Sequence, residues 1–355
     1  MESNQMPPFL ISLLLLGAAV TDEQPKREFL FEYETLLLPT PAAHMRVWLP
    51  LPQSDEVQQI ADMQIQSDLP YSLHRDPEFG NLYLRAEKAG GVDDTIRIIV
   101  RFKVTRSVRK PDSVQDTTGM AAALQPDRLV PVAGIFKDII RREKLRADSM
   151  RAVYDFILQE MVYGKPRAKD STDAYFNRLP EKIKDSITRD MVVDLYLKAR
   201  ETRSEFIFGN GNAEYACKIG VGNCTDFHSY FLSLSRTLGV PGRFHIGFLL
   251  PETEPASGSL DGYHCWADFY QPGVGWVPVD ISEADKFPHK ADYYFGTLDN
   301  DRVRFTSGRD ILLDGYSGGP VNFFIYPVME HEGRPVQAFM TRFRFMPVEP
   351  PVVEK

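Results

Sequence analysis

A chain of 355 residues, 43% hydrophobic and 25% charged, has room for two or three domains and the composition of an ordinary globular protein. Its formal net charge of -8, with no lysine- or arginine-rich run, excludes nucleic acid as a main partner, because phosphate binding needs basic patches. Three cysteines in so long a chain exclude a disulfide framework as the source of stability.

Residues 9–20 form an apolar run, too short for the roughly 20 residues that span a bilayer but suited to a signal-peptide core. Gly17, Ala18 and Ala19 offer a small-residue cleavage site, although the preceding segment carries Glu2 and no lysine or arginine. Residues 1–24 are therefore expected to be a signal peptide. That implies export, periplasmic or secreted, and no stable membrane insertion once it is removed. The alternative is a first buried strand or helix in a cytoplasmic protein.

From residue 27 to 107 the chain is strand-like. Residues 28–38, 45–49, 82–84 and 94–108 alternate apolar and polar side chains with β-branched enrichment, and Pro, Gly and Asn punctuate them. An all-β, sandwich-like domain is expected over 25–110, then a linker of Pro, Asp, Thr and small residues over 111–133. Asp148 or Ser149 caps a predicted helix through Met161 with Val153, Phe156 and Ile157 inward. Residues 165–211 read as a charged insert. In its middle Ile183, Ile187, Met191 and Leu195 fall four apart, the edge of a surface helix, which is either a decoration or a lid.

Residues 220–241 organise the rest. Phe227, Tyr230, Phe231, Leu234 and Leu238 lie on one helical stripe, stopped by Gly239 and Pro241. Asn223 is an N-cap residue, with Asp226 as the second half of a capping box. Cys224 then falls in the first turn, where unpaired N–H groups and the helix dipole favour thiolate. On this stretch alone it reads equally as a nucleophile or a small buried residue. Strands are predicted at 243–250, 263–270, 276–280, 303–305, 321–326 and 336–345. A helix followed by antiparallel strands is an α+β pattern, and residues 134–310 are taken as one catalytic domain with a β extension at 311–355. No dinucleotide-binding, phosphate-loop or serine-elbow motif occurs.

A thiolate nucleophile needs a basic partner, itself held by a third group. His264 opens a predicted strand, with Asp268 and Asp280 downstream. If Tyr270 faces Trp276 across the 271–275 turn, Trp266 faces Asp280. His264 and Asp280 are then diagonal neighbours on one face, about 7–8 Å apart. Asp268 lies about 13 Å along the same strand from His264, out of reach. An odd register would move Asp280 to the opposite face. His228 is the rival base, one helical turn from Cys224, but no acid is evident to orient it. Trp266 walls the site or is simply core. Asp299, Asn300 and Asp301 lack the spacing of a calcium loop, Cys265 is expected on the strand face opposite His264, and neither a metal nor a cofactor is expected. Cys217 is expected to be a buried thiol, or else to pair with Cys224 or Cys265.

The segments "GNCTDFHSYFLSLSRTLGVPGRF", "GYHCWADFY" and "GWVPVD" closely resemble the core of the transglutaminase-like superfamily. "VWLPLP" and "RDPEFGNLYL" resemble the β-rich N-terminal domain of its bacterial branch, and "DYYFGTLDNDRVRFTSGRD" also fits. The resemblance implies a papain-like arrangement with Cys224 as nucleophile, His264 as its partner and Asp280 as orienter; Trp266, His228 and Asn223, from their own positions, are expected to contact substrate or to support the triad from behind. It implies thiol-mediated acyl transfer on amide bonds of peptides or proteins, either to water (a peptidase or amidase) or to an amine (a transglutaminase). A non-catalytic binding or scaffold module is the third possibility, disfavoured because all three residues are present.

Overall fold

The computed structural model describes residues 25–41, 43–111, 117, 119–164, 208–252 and 257–348. The expected signal peptide lies outside the described residues, as does the 165–211 insert except its last four residues.

Among the described residues six strands of five residues or more come first: β1 Lys26–Leu37, β2 Met45–Pro50, β3 Gln58–Ser67, β4 Tyr71–Arg75, β5 Leu82–Lys88 and β6 Ile96–Ser107. Period-two burial drives them. In β6, Ile96, Ile98, Val100, Phe102 and Val104 turn inward while Arg97 and Arg101 turn out to meet Glu34 and Glu32 of β1 at 2.5 and 2.6 Å. β3 escaped the sequence pattern for a local reason. Its pairing with β6 slips between Ala61 and Gln64, where Asp62 adopts a φ of 52°, and the bulge breaks the alternation.

The second unit begins with helices α1 Ile135–Glu143 and α2 Met150–Glu160, then α3 Ala213–Ile219 and α4 Cys224–Thr237. Strands β7 Gly242–Leu249, β8 Gly258–Leu260, β9 His264–Gln271 and β10 Gly275–Val279 follow, then α5 Ile281–Lys286 and β11 Arg302–Ser307. β10, β9, β7 and β11 form an antiparallel sheet in that order, the α+β arrangement expected. Helix α4 packs against β9 and β7 on one side and against α1, α2, α3 and α5 on others. It is buried along nearly its whole length, which an amphipathic stripe alone does not foretell.

The last strands, β12 Val328–His331, β13 Arg334–Val336 and β14 Phe339–Met346, return to the N-terminal unit. β14 lies between β8 and β1 in a five-stranded sheet ordered β8-β14-β1-β6-β3, and β12 joins β2 in another ordered β13-β12-β2-β5-β4. The boundaries drawn at 110 and 311 therefore divide one pair of sheets between two stretches of sequence. The strand expected at 321–326 does not form. Pro320 and Pro327 bracket it, and only Val321 makes an isolated bridge, to Ile311. Aromatic rings join the two units: Phe248 and Phe305 of the four-stranded sheet lie 5.5 and 5.6 Å from Phe31 of β1.

Candidate active site

Cys224 is positioned by a capped helix start. The Asn223 side chain accepts from the Thr225 N–H at 3.0 Å, and Asp226 returns to the Asn223 N–H at 3.0 Å, completing the expected capping box. Asp226 does more than cap: it also accepts from the Gly209 N–H at 2.9 Å and the Gly211 N–H at 3.0 Å. Burial pushes its carboxyl up to about 7 against those three bonds. Gly222 is required beside it, because a Cβ there would stand 2.5 Å from the Cβ of Asp226. The buried Arg309 holds the same loop through the carbonyl of Gly211 at 3.1 Å, and grips α4 through the Ser229 hydroxyl at 2.7 Å.

The β9–β10 hairpin takes the even register: Tyr270 pairs with Trp276 and Ala267 with Val279. Nε2 of His264 lies 2.7 Å from Oδ2 of Asp280. The same imidazole also hydrogen-bonds the Cys224 thiol. Asp280, fully buried, also accepts from Nη1 of Arg302 at 2.6 Å, from the Ser282 hydroxyl at 2.9 Å and from the Glu283 N–H at 3.0 Å, so it caps α5 as well as holding His264. Burial raises the Asp280 carboxyl, but the positive charges of His264 and Arg302 outweigh it and keep it well below the usual range. Burial lowers His264, yet the charge and hydrogen bond of Asp280 and the contact with Cys224 carry it up to about 9. Burial likewise opposes a Cys224 thiolate. Hydrogen bonds from Cys265 and His264, with the charge of His264, bring the thiol well below its ordinary value. All three shifts run the same way: each group's ionised form is favoured by its neighbours.

His228 is not placed as a base. Its Nε2 accepts the Ile281 N–H at 3.1 Å, so its proton sits on Nδ1, which donates to the Cys224 carbonyl at 2.7 Å. Burial lowers its pKa further. The neutral ring ties the backbone of Cys224 to the residue after Asp280. Trp266 is buried, its ring near-parallel to His264 at 6.3 Å, with the Arg302 guanidinium 5.4 Å from its centre. Asp268 serves another histidine, His245, at 3.1 Å. Asp299 and Asp301 are taken by Arg302 at 3.0 Å and Arg27 at 2.5 Å, and among the described residues no cluster suits a metal. All three cysteines are unbonded. Cys217 hydrogen-bonds Tyr230 rather than either other thiol.

Cys265 departs from the sequence expectation. It does point to the face opposite Trp266, but that face carries α4, and the thiol meets Cys224 there. His264 reaches the same sulfur because it is the first residue of the strand. Arg302 and Tyr263 were also missed. Tyr263 accepts from the Asn223 side-chain amide at 3.4 Å, close enough to Cys224 that the thiolate helps raise its phenol, which burial raises first.

Residues 177–281 match the family model described as the transglutaminase-like superfamily. Among curated proteins, one from Haemophilus influenzae described as uncharacterized is 25% identical over 88% of this chain and 87% of its own length. A crystal structure from Cytophaga hutchinsonii, described as a candidate cysteine protease, superposes with a TM-score of 0.54 over 92% of this chain and 94% of that one, at 12% identity. The periplasmic domain of TgpA from Pseudomonas aeruginosa aligns over 76% of this chain and 75% of that one, with a TM-score of 0.31 and 15% identity. The matched segment runs through the Cys224 helix to the first residue of α5, so it is the Cys224–His264–Asp280 part of the chain that is similar to the transglutaminase-like superfamily.

Proposed function

We propose that the chain is a thiol acyl-transfer enzyme acting on amide bonds of peptides or proteins, with water as the acceptor. The contact that carries this reading is the 2.7 Å bond from His264 to Asp280, with the same imidazole also on the Cys224 thiol. Cys224 attacks the amide carbonyl as thiolate. Its own N–H, at the first position of α4 where helical N–H groups lack intrahelical partners, faces the developing oxyanion. The His264 imidazolium gives a proton to the leaving amine, then takes one from the water that cleaves the thioester. Asp280 keeps the ring oriented and its charge balanced. The apolar run at 9–20 supports action outside the cytoplasm.

A peptide-cleavage assay beside an amine-incorporation assay tests this. Cleavage is expected without incorporation of a fluorescent amine, absent in Cys224→Ala and reduced by about 10²–10⁴-fold in His264→Ala. Incorporation exceeding cleavage would establish the transglutaminase reading instead. Activity unchanged in Cys224→Ala would end both.

A further inference from the structure

The sulfur of Cys265 lies 3.7 Å from Nδ1 of His228, the same nitrogen that is 2.7 Å from the Cys224 carbonyl, so the two thiols neighbour one another across that ring, and each perturbs the other's ionisation. The Nδ1 proton of His228 is already given to the Cys224 carbonyl at 2.7 Å, so the partner left to the Cys265 S–H is the Cys224 sulfur. Neither sulfur is bonded, and Cys217 is engaged with Tyr230. The two thiols differ in access: Cys265 is 0% exposed and Cys224 2%.

We propose that Cys224 and Cys265 form a modification site that a hydroperoxide converts reversibly into a disulfide, resting on Cys224 being the reactive thiol. In the first step the Cys224 thiolate attacks a peroxide oxygen. An S–O bond forms, the O–O bond breaks, and hydroxide leaves. In the second, the Cys265 sulfur attacks the sulfur of that sulfenic acid. The S–S bond forms, the S–O bond breaks, and the departing hydroxide takes the Cys265 proton as water. Two thiols lose two electrons and hydrogen peroxide becomes two waters. Order follows from chemistry as well as access, since burial holds the Cys265 thiol well above its ordinary value and leaves it a poor first attacker. The disulfide silences the nucleophile. It also withholds the sulfenic acid from further oxidation to the irreversible sulfinic and sulfonic forms.

The test uses the reduced full-length protein, treated with stoichiometric hydrogen peroxide and analysed by intact mass, thiol titration and non-reducing peptide mapping. The expected result is a loss of about 2 Da, a linked Cys224–Cys265 peptide pair, and full recovery with dithiothreitol. Of the three free thiols, Cys217 alone should remain. With peroxide raised to three equivalents, Cys265→Ala should instead gain about 32 or 48 Da at Cys224, unrecovered by dithiothreitol. Cys265→Ser, closer in size, serves the same purpose if the alanine variant does not fold. A wild-type protein that gains oxygen at Cys224, or links it to Cys217, overturns the proposal. So does a Cys265 variant that behaves as wild type. Iodoacetamide labelling separates the two levels: labelled Cys224 without the disulfide sinks this inference alone, whereas Cys224 inert to both reagents sinks the nucleophile as well.

Discussion

Arg302 and His264 meet on one oxygen: Nη1 of Arg302 lies 2.6 Å, and Nε2 of His264 2.7 Å, from Oδ2 of Asp280. Arg302 is fully buried, and its Nε reaches Asp299 at 3.0 Å. The carboxylate is thus a shared anion, held by the guanidinium as well as by the imidazole. Arg302→Met removes one partner of a buried pair and should cost about 3–5 kcal/mol in denaturant unfolding. Arg302→Lys keeps the charge but cannot bridge Asp280 and Asp299 at once, and should fall between. Wild-type stability in Arg302→Met would mean that this pair contributes nothing net.

The pH profile should have an upper limit set by His264. Acylation needs the Cys224 thiolate and the imidazolium together, so activity should rise through a value well below the ordinary thiol range and fall as pH passes about 9. Asp280→Asn removes the charge that lifts His264 and should draw the upper limb down toward ~6.5. An upper limb that stays put would show that Asp280 does not tune the histidine. Stability follows the same group: its folded value lies above the 6.5 of an unfolded histidine. Its contribution is therefore complete below about 6.5 and lost as pH rises through about 9.

Asp226→Asn tests the helix start. The carboxylate receives three backbone N–H groups on its two oxygens, and an amide offers only one oxygen to them. At least one buried donor is orphaned, at about 1–3 kcal/mol. The variant should unfold at lower temperature and alkylate more slowly at Cys224. Asp226→Ala leaves all three donors unpaired and should be worse.

What was legible in the sequence was what regular periods carry. The alternation of β1 and β6, the stripe of α4 and the even hairpin register came through, and with that register the juxtaposition of His264 and Asp280. Asp280 was recognisable because a hairpin converts spacing into distance. Arg302 was not, because it reaches Asp280 from β11, at the other end of a four-stranded sheet whose order no local pattern specifies. Cys265 was discounted by the correct rule that neighbours on a strand face opposite ways. The rule says nothing of a helix whose first turn sits at the end of that strand. His228 looked like an unoriented base because the backbone N–H of Ile281, which fixes its tautomer, carries no sequence signature.

Phe305 joins the two units. Its ring lies 5.6 Å from Phe31, 6.0 Å from Phe102 and 5.3 Å from Phe248. Phe305→Ala should cost about 3–5 kcal/mol. The loss should appear as a lower midpoint of a single transition, monitored both by global unfolding and by exposure of Cys224 to alkylation. Two separated transitions would show that the sheets and the catalytic unit are held together elsewhere.

The place of β14 beside β1 sets a schedule. The strand that flanks residues 26–37 is not synthesised until residues 339–346, roughly 300 residues later. A ribosome adding about 5–20 residues per second leaves that edge of β1 open for roughly 15–60 s. The first sheet to be made is the last to be closed. Until the C-terminus emerges the N-terminal half cannot lock, so the nascent chain stays threadable. Truncation before residue 339 would leave β1 with β6 as its single neighbour in that sheet.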